Sequence, residues 1–175
     1  AWERKWQQTD IRIEGDENAQ QAYRMAVYHL LRCRDEREYQ AAVCAKGFAG
    51  EAYYGRYFWD TEIFLLPFYL YTDPESAKNL LRYRYETLDG ARKNAAGAFL
   101  KGAKYPWQSG MTGEEQCSLW EYGELEIHVT ADVAYGICHY YRATDDWAFM
   151  KQYGIEMLVE TARYWMSRVD RLADG

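Results

Sequence analysis

Basic charge, long apolar runs and histidine are all scarce in this sequence, and each scarcity removes a class of function. Its 175 residues carry 21 Lys and Arg against 27 Asp and Glu, a formal charge of −6. Nucleic acid wants a basic surface, so it is not an expected partner. No run of 18 or more apolar residues occurs, so no helix is expected to span a membrane. The opening Ala1-Trp2-Glu3-Arg4-Lys5 lacks the apolar core of a secretion signal. It also lacks an initiator Met, which reads as the start of a processed or excised piece.

The four cysteines, Cys33, Cys44, Cys117 and Cys138, form no C-x-x-C pair, which argues against a zinc or thioredoxin-type motif. They are expected to be reduced, mostly buried thiols in a cytoplasmic protein. His29, His128 and His139 show no H-E-x-x-H spacing, and no metal is expected. Gly47, Gly50 and Gly55 match neither a Walker nor a Rossmann phosphate loop, and no cofactor is expected.

What remains is a chain that is 49% apolar and 17% aromatic, long enough to bury one core. Residues 1–15 read as an extended arm or linker, with Ile11-Arg12-Ile13 either a short strand or simply connection. Asp16 is placed to cap a first helix carrying Tyr23, Ala26, Val27, Leu30 and Leu31 and ending near Arg34. A second helix is expected from Trp59 to Tyr71, apolar almost all round, inside the fold and kinked at Pro67. Asp73-Pro74 stops and restarts the chain as N-cap and first helical residue. The third helix shows Ala77, Leu80, Leu81, Tyr85 and Leu88 on one face, with Lys78, Arg82, Arg84 and Glu86 expected in solvent. A fourth, over about 126–142, should face inward through Ile127, Ala131, Ala134, Tyr135 and Cys138. A fifth carries Ile155, Leu158, Val159, Ala162, Trp165 and Val169.

The connections alternate long, short, long, short, which puts both long ones on one rim of antiparallel helices. The helices entered from the long loops are the more apolar ones, as in a double ring of outer and inner helices. The fold class expected is all-α, with candidate binding residues on the loops of that rim.

The chemically dense stretch is Gly55-Arg56-Tyr57-Phe58-Trp59-Asp60-Thr61-Glu62-Ile63-Phe64-Leu65-Leu66-Pro67. Trp59 offers a flat apolar face and Asp60 a carboxylate acceptor, a pairing that suits a sugar. The competing reading is a buried helix start, capped by Asp60 or Thr61 with Trp59 packed inside.

Phe58-Trp59-Asp60-Thr61-Glu62-Ile63-Phe64 resembles the signature of glycoside hydrolase family 65, the maltose, trehalose, kojibiose and nigerose phosphorylases. The resemblance continues, in order, through Leu80–Tyr85, Tyr105-Pro106-Trp107, Gly113-Glu114-Glu115, Glu126–Asp132 and Glu160–Trp165. The run Gly123–Asp132 is most similar to the kojibiose and nigerose branch. The resemblance implies that residues 16–175 are the N-terminal part of an (α/α)6 barrel, about the first five of its twelve helices. It implies substrate-binding roles for Trp59, Asp60, Trp107 and Glu114. Trp107 stands as stacking wall or loop anchor, and Glu114 as hydroxyl acceptor or solvated charge. Arg56 replaces the family's usual His, so a sugar contact and a structural salt bridge both stand. His128 is expected to cap locally rather than reach the pocket, and Asp132 is a weaker candidate.

The resemblance further implies an inverting phosphorylase that cleaves an α-glucosyl disaccharide with inorganic phosphate as co-substrate. Inversion needs one carboxylic acid to protonate the leaving oxygen, and attacking phosphate dispenses with the hydrolases' second carboxylate. The family's general acid lies in a Gly-Pro-Asp-Glu segment that does not occur here, so no catalytic residue is expected in this stretch. Alone it should be an inactive fragment, its inner faces covered by the rest of the barrel or a second copy. The alternatives are an α-glucoside hydrolase of the same fold and a non-catalytic helical module that binds sugar or another chain.

Overall fold

A computed structural model describes residues 2–47 and 52–170; Ala1, Gly50 and the last five residues of the expected barrel segment fall outside them. Among the described residues every regular element is helical, and the sole ladder-type pairings are isolated bridges joining Tyr57 to Ser109 and Ser109 to Glu115. No described helix is long and apolar enough to cross a membrane.

The arm expected to be extended is in part helical: α1 runs Trp2–Thr9. Its amphipathic spacing lets Lys5 reach Glu36 and Asp73, at 3.3 and 3.5 Å. Residues 11–13 are connection rather than strand. The Gln20 side chain accepts from the Ile13 amide at 2.7 Å and donates to the Ile11 carbonyl at 3.0 Å. Helix α2 spans Glu17–Arg32, and Asp16 caps it by accepting from the Ala19 amide.

The second helix begins differently from expectation. Thr61–Leu65 form a π-helical turn, and α3, Leu66–Thr72, follows with Pro67 in its first turn. Proline has no amide to donate to Ile63, and its ring would crowd that carbonyl in an α-helix; the wider turn accommodates both. The kink is thus spread over the turn before Pro67. Nor is this helix inside on every side: Leu66, Tyr69 and Leu70 are buried, while Phe64 and Tyr71 are 62% and 69% exposed.

Asp73 receives the Ser76 amide and hydroxyl and starts α4, Pro74–Glu86, as the Asp-Pro pair predicts. At Thr87 the chain breaks and restarts as α5, Leu88–Gly97, so the third helix is two pieces. The break lets the 110–115 loop press on α5. A methyl on Gly90 would lie 2.1 Å from the Thr112 carbonyl oxygen, and Gly113 sits at φ 73°, which glycine tolerates. A short α6, Trp120–Leu125, precedes α7, Val129–Thr144. Then come α8, Trp147–Phe149, a second π turn at Met150–Gly154, and α9, Ile155–Arg168.

Two helices present other faces than their hydropathy suggests. The buried face of α7 is Val129, Thr130, Val133, Gly136, Ile137 and Tyr140, while Ala131 and Tyr135 are exposed. Closeness decides this: a Cβ on Gly136 would stand 3.2 and 3.3 Å from Leu66 and Leu81. In α9 the inward residues are Met157, Glu160, Thr161 and Tyr164, not Ile155, Val159 and Ala162. There polar contacts dock the helix on α5: Arg92 reaches Glu156 at 2.7 Å and Glu160 at 3.4 Å. Helix α3 packs on α4, α4 on α7 and α7 on α9, around a core that includes Leu66, Leu80, Leu81, Val133, Ile137 and Met157.

Candidate functional site

Both long connections meet at one end of the helices. The bridge between Tyr57 and Ser109, with reciprocal amide–carbonyl bonds of 2.9 Å, ties the segment before Trp59 to the segment after Trp107. At that junction the Trp59 and His128 rings lie edge to face with centroids 5.1 Å apart, and Trp107 approaches the same imidazole at 5.7 Å. Phe58 packs edge-on against Trp107 at 5.7 Å. The result is a wall of two indoles joined by an imidazole, built from three segments far apart in sequence.

Asp60 stands at the start of the π turn in helical geometry and makes no side-chain cap. Its half-buried carboxylate has no hydrogen bond or ion pair to another described residue. A carboxylate left free on the residue next to Trp59 is an acceptor available to a ligand's hydroxyls. The Asp60 cap of the competing reading is therefore not what the structure shows.

His128 was expected to cap α7, and it does not. Its Nδ1 lies 2.7 Å from Asp132 Oδ2, which fixes the ring, and its Nε2 lies 3.5 Å from Glu126 Oε2. The side chain is 42% exposed between the two tryptophans. The spacing of His128 and Asp132, one helical turn apart, was the available signal; nothing in the sequence said which face of α7 would carry them.

Among the described residues Arg56 pairs with neither Asp60 nor another acid: its Nη1 donates to Gln108 Oε1 at 2.5 Å, while the guanidinium lies 5.5 Å from the Tyr54 ring centre. It thus belongs to the junction between the two loops. Glu114 is held away as a surface pair with Lys93 at 2.5 Å. The neighbouring Glu115 does the local work. Its carboxylate accepts from the amides of Trp107, Gln108, Gln116 and Cys117 at 2.7 to 3.1 Å. Glu115 therefore shapes the loop that carries Trp107, and Asn94 Oδ1 accepts its own amide at 3.1 Å. Two adjacent glutamates gave the sequence no way to tell which would turn inward.

Beneath the wall lies the largest departure from expectation. Arg84, expected in solvent, is fully buried and paired with Glu62, the two side chains being 0% and 1% exposed. Arg84 Nε and Nη2 donate to the Glu62 carboxylate at 2.7 and 2.9 Å, and Nη2 also donates to the Phe58 carbonyl at 3.0 Å. Burial alone would lower the guanidinium's pKa, but the Glu62 carboxylate against it outweighs that and raises it, so Arg84 stays charged. Lys78, Arg82 and Glu86 lie nearer the surface: Lys78 reaches Asp146 at 3.2 Å, and Arg82 stacks on Tyr39 and pairs with Glu86 at 3.1 Å.

Two buried phenols, Tyr83 and Tyr105, lie against this pair. Burial pushes the Tyr83 hydroxyl up to about 12 and raises Tyr69, Tyr105 and Tyr140 as well. A raised phenol pKa favours the folded state fully below the unfolded value near 10, and the advantage is lost as pH rises through 12. For Tyr83 the slope is about 1.4 kcal/mol per pH unit across that window. The melting temperature should therefore hold from pH 7 to 9 and fall steeply between 10 and 12. A melting temperature that stays level between pH 10 and 12 would contradict this burial.

No group of His, Cys, Asp and Glu suited to a metal ion occurs among the described residues, and the four cysteines are free and half-buried rather than mostly buried. A groove of about 740 Å³ along α2, lined by Ile13, Gln20, Arg24, Met25 and Tyr28 among others, shares no residue with the tryptophan wall.

Packed helices whose long connections converge on an aromatic wall make a segment of a helical barrel. The chain belongs to glycosyl hydrolase family 65: residues 24–174 match the model of that family's central catalytic domain. It is 47% identical to the kojibiose phosphorylase of Thermoanaerobacter brockii, over 97% of this chain and 23% of that protein. The α,α-trehalose phosphorylase of Geobacillus stearothermophilus is 44% identical over 92% of the chain and 21% of its own length. The maltose phosphorylase of Bacillus subtilis (strain 168) is 41% identical over 96% and 22%. A solved structure of a protein from the human microbiome, assigned as a kojibiose phosphorylase, matches with a TM-score of 0.94 at 36% identity. That match covers 99% of this chain and 25% of the other. The chain thus spans about a quarter of the length of the relatives it matches. Its fold is all-α, part of an (α/α)6 barrel.

Proposed function

We propose that this chain forms part of the glucosyl-binding pocket of an inverting α-glucoside phosphorylase, which splits an α-linked glucose disaccharide with inorganic phosphate. The observation that carries the reading is the wall formed by Trp59, His128 and Trp107, with the free carboxylate of Asp60 on the residue next to Trp59 in the chain. A glucosyl ring laid on an indole face would present its hydroxyls to Asp60, with Asp132 and Glu126 close behind His128. The described wall is acidic and aromatic, which suits hydroxyl donors; it offers little to phosphate, and the proton donor and phosphate site belong to sequence beyond this stretch. Kojibiose leads among the candidate disaccharides, because three kojibiose phosphorylases stand at 46–48% identity, although a fourth stands at 38% and trehalose phosphorylases at 43–44%. Four free thiols suit a cytoplasmic setting.

The test is to supply the complete gene product with kojibiose, nigerose, maltose and trehalose, each with and without phosphate. Phosphate-dependent release of β-glucose 1-phosphate supports the reading. Glucose released at the same rate without phosphate makes the protein a hydrolase, and sugar binding without turnover makes it a binding module.

A further inference from the structure

Besides the Tyr57–Ser109 bridge and the Arg56–Gln108 bond, the two halves of the wall are held from beneath by one dipeptide, Tyr83-Arg84, buried in α4. The Arg84 side chain grips both ends of the short turn that presents Trp59 and Asp60: the Phe58 carbonyl before it and the Glu62 carboxylate after it. The Arg84 backbone carbonyl accepts the Tyr105 hydroxyl at 3.1 Å, two residues before Trp107. The Tyr83 hydroxyl meets Ser109 Oγ at 2.7 Å and donates to the Gly110 carbonyl at 2.6 Å, just after Trp107. One helical step therefore fixes the first loop through a guanidinium and the second from both sides through phenols. The guanidinium lies 5.6 and 5.7 Å from the Tyr83 and Tyr105 ring centres, which locks all three groups into one block.

We infer that Tyr83 and Arg84 are positioning residues that set the separation between the Trp59–Asp60 turn and the Trp107 loop, and so the fit of the sugar ring. The inference rests on the glucosyl-binding reading above and adds to it the device that calibrates the pocket. Neither side chain reaches the wall's surface, since both are fully buried, so neither touches substrate. Their effect must pass through Trp59, Asp60 and Trp107. Displacing a binding group by about 1 Å can cost on the order of a hundredfold in rate.

Two variants of the complete gene product test it. Tyr83→Phe keeps the ring and removes the hydroxyl that holds Ser109 and Gly110. Arg84→Lys keeps the charge opposite Glu62 but cannot also hold the Phe58 carbonyl with a planar fork. Assayed well below their melting temperatures, with native circular dichroism, both should lose roughly 10- to 100-fold in kcat/KM for the disaccharide. A purely structural role predicts otherwise: a lowered melting temperature with kcat/KM within about twofold of the wild type wherever the variant is folded. That result in Tyr83→Phe overturns the inference, even if Arg84→Lys does not fold. Trp59→Ala, run alongside, separates the two ideas. If it lowers kcat/KM and Tyr83→Phe does not, the positioning role alone falls. If Trp59→Ala changes nothing, the glucosyl-binding reading falls and this one with it.

Discussion

Glu62→Ala should cost the protein about 3–5 kcal/mol of stability, the largest loss expected from any single surface-independent change here. The substitution leaves the Arg84 guanidinium fully buried with the Phe58 carbonyl as its remaining acceptor, and Arg84 Nη1 already lacks a partner among the described residues. An uncompensated buried charge is the reason for the size of the effect, rather than any large net worth of the pair itself. Forming the pair means stripping water from both ions, and their attraction does little more than offset that. It follows that Glu62→Met combined with Arg84→Leu should lose less than Glu62→Ala alone, a non-additivity diagnostic of two groups in contact. Urea unfolding of the complete gene product checks both. A Glu62→Ala unfolding free energy within about 1 kcal/mol of the wild type would mean that the guanidinium finds water, and that the block beneath the wall is not dry.

Trp59→Ala should leave the fold standing and remove most of the binding. The indole is half-buried and borders on Phe64 and His128, so its loss trims the rim rather than emptying the core. Truncating an aromatic anchor at the centre of a binding surface typically costs about 2–4 kcal/mol. At 1.4 kcal/mol per decade that is roughly a 30- to 1000-fold loss in kcat/KM. Trp2, an exposed tryptophan on α1, provides the control: Trp2→Ala should leave kcat/KM unchanged. Equal losses in both variants would show that the effect is unspecific destabilisation, and no loss in Trp59→Ala would remove the wall from the binding site.

What could be read from the sequence were the features that depend on local chemistry. Asp16 and Asp73-Pro74 marked helix starts because capping is a matter of a few adjacent atoms. The alternation of long and short connections placed the loops of Trp59 and Trp107 on one rim, as found. What could not be read depended on contacts between distant segments. Arg84 looked solvated because an isolated helix gives an arginine no partner; its partner comes 22 residues earlier, on the π turn that precedes Pro67. The inward face of α7 was missed because Gly136, the weakest hydrophobe on the helix, makes the closest approach. On α9, hydropathy pointed to Ile155 and Val159, while ion pairs to Arg92 decided the docking. Among the site residues, Trp59, Asp60 and Trp107 sit at the shared junction. Glu114 does not, and His128 joins them because α7 begins where the second long connection ends.

The most direct measurement is a crystal structure of the complete gene product with its α-glucosyl disaccharide bound. The account predicts a glucosyl ring lying against Trp59, within reach of Trp107 and His128, with a sugar hydroxyl about 2.7–3.0 Å from the Asp60 carboxylate. A disaccharide bound elsewhere, with the Asp60 carboxylate still free, would contradict it.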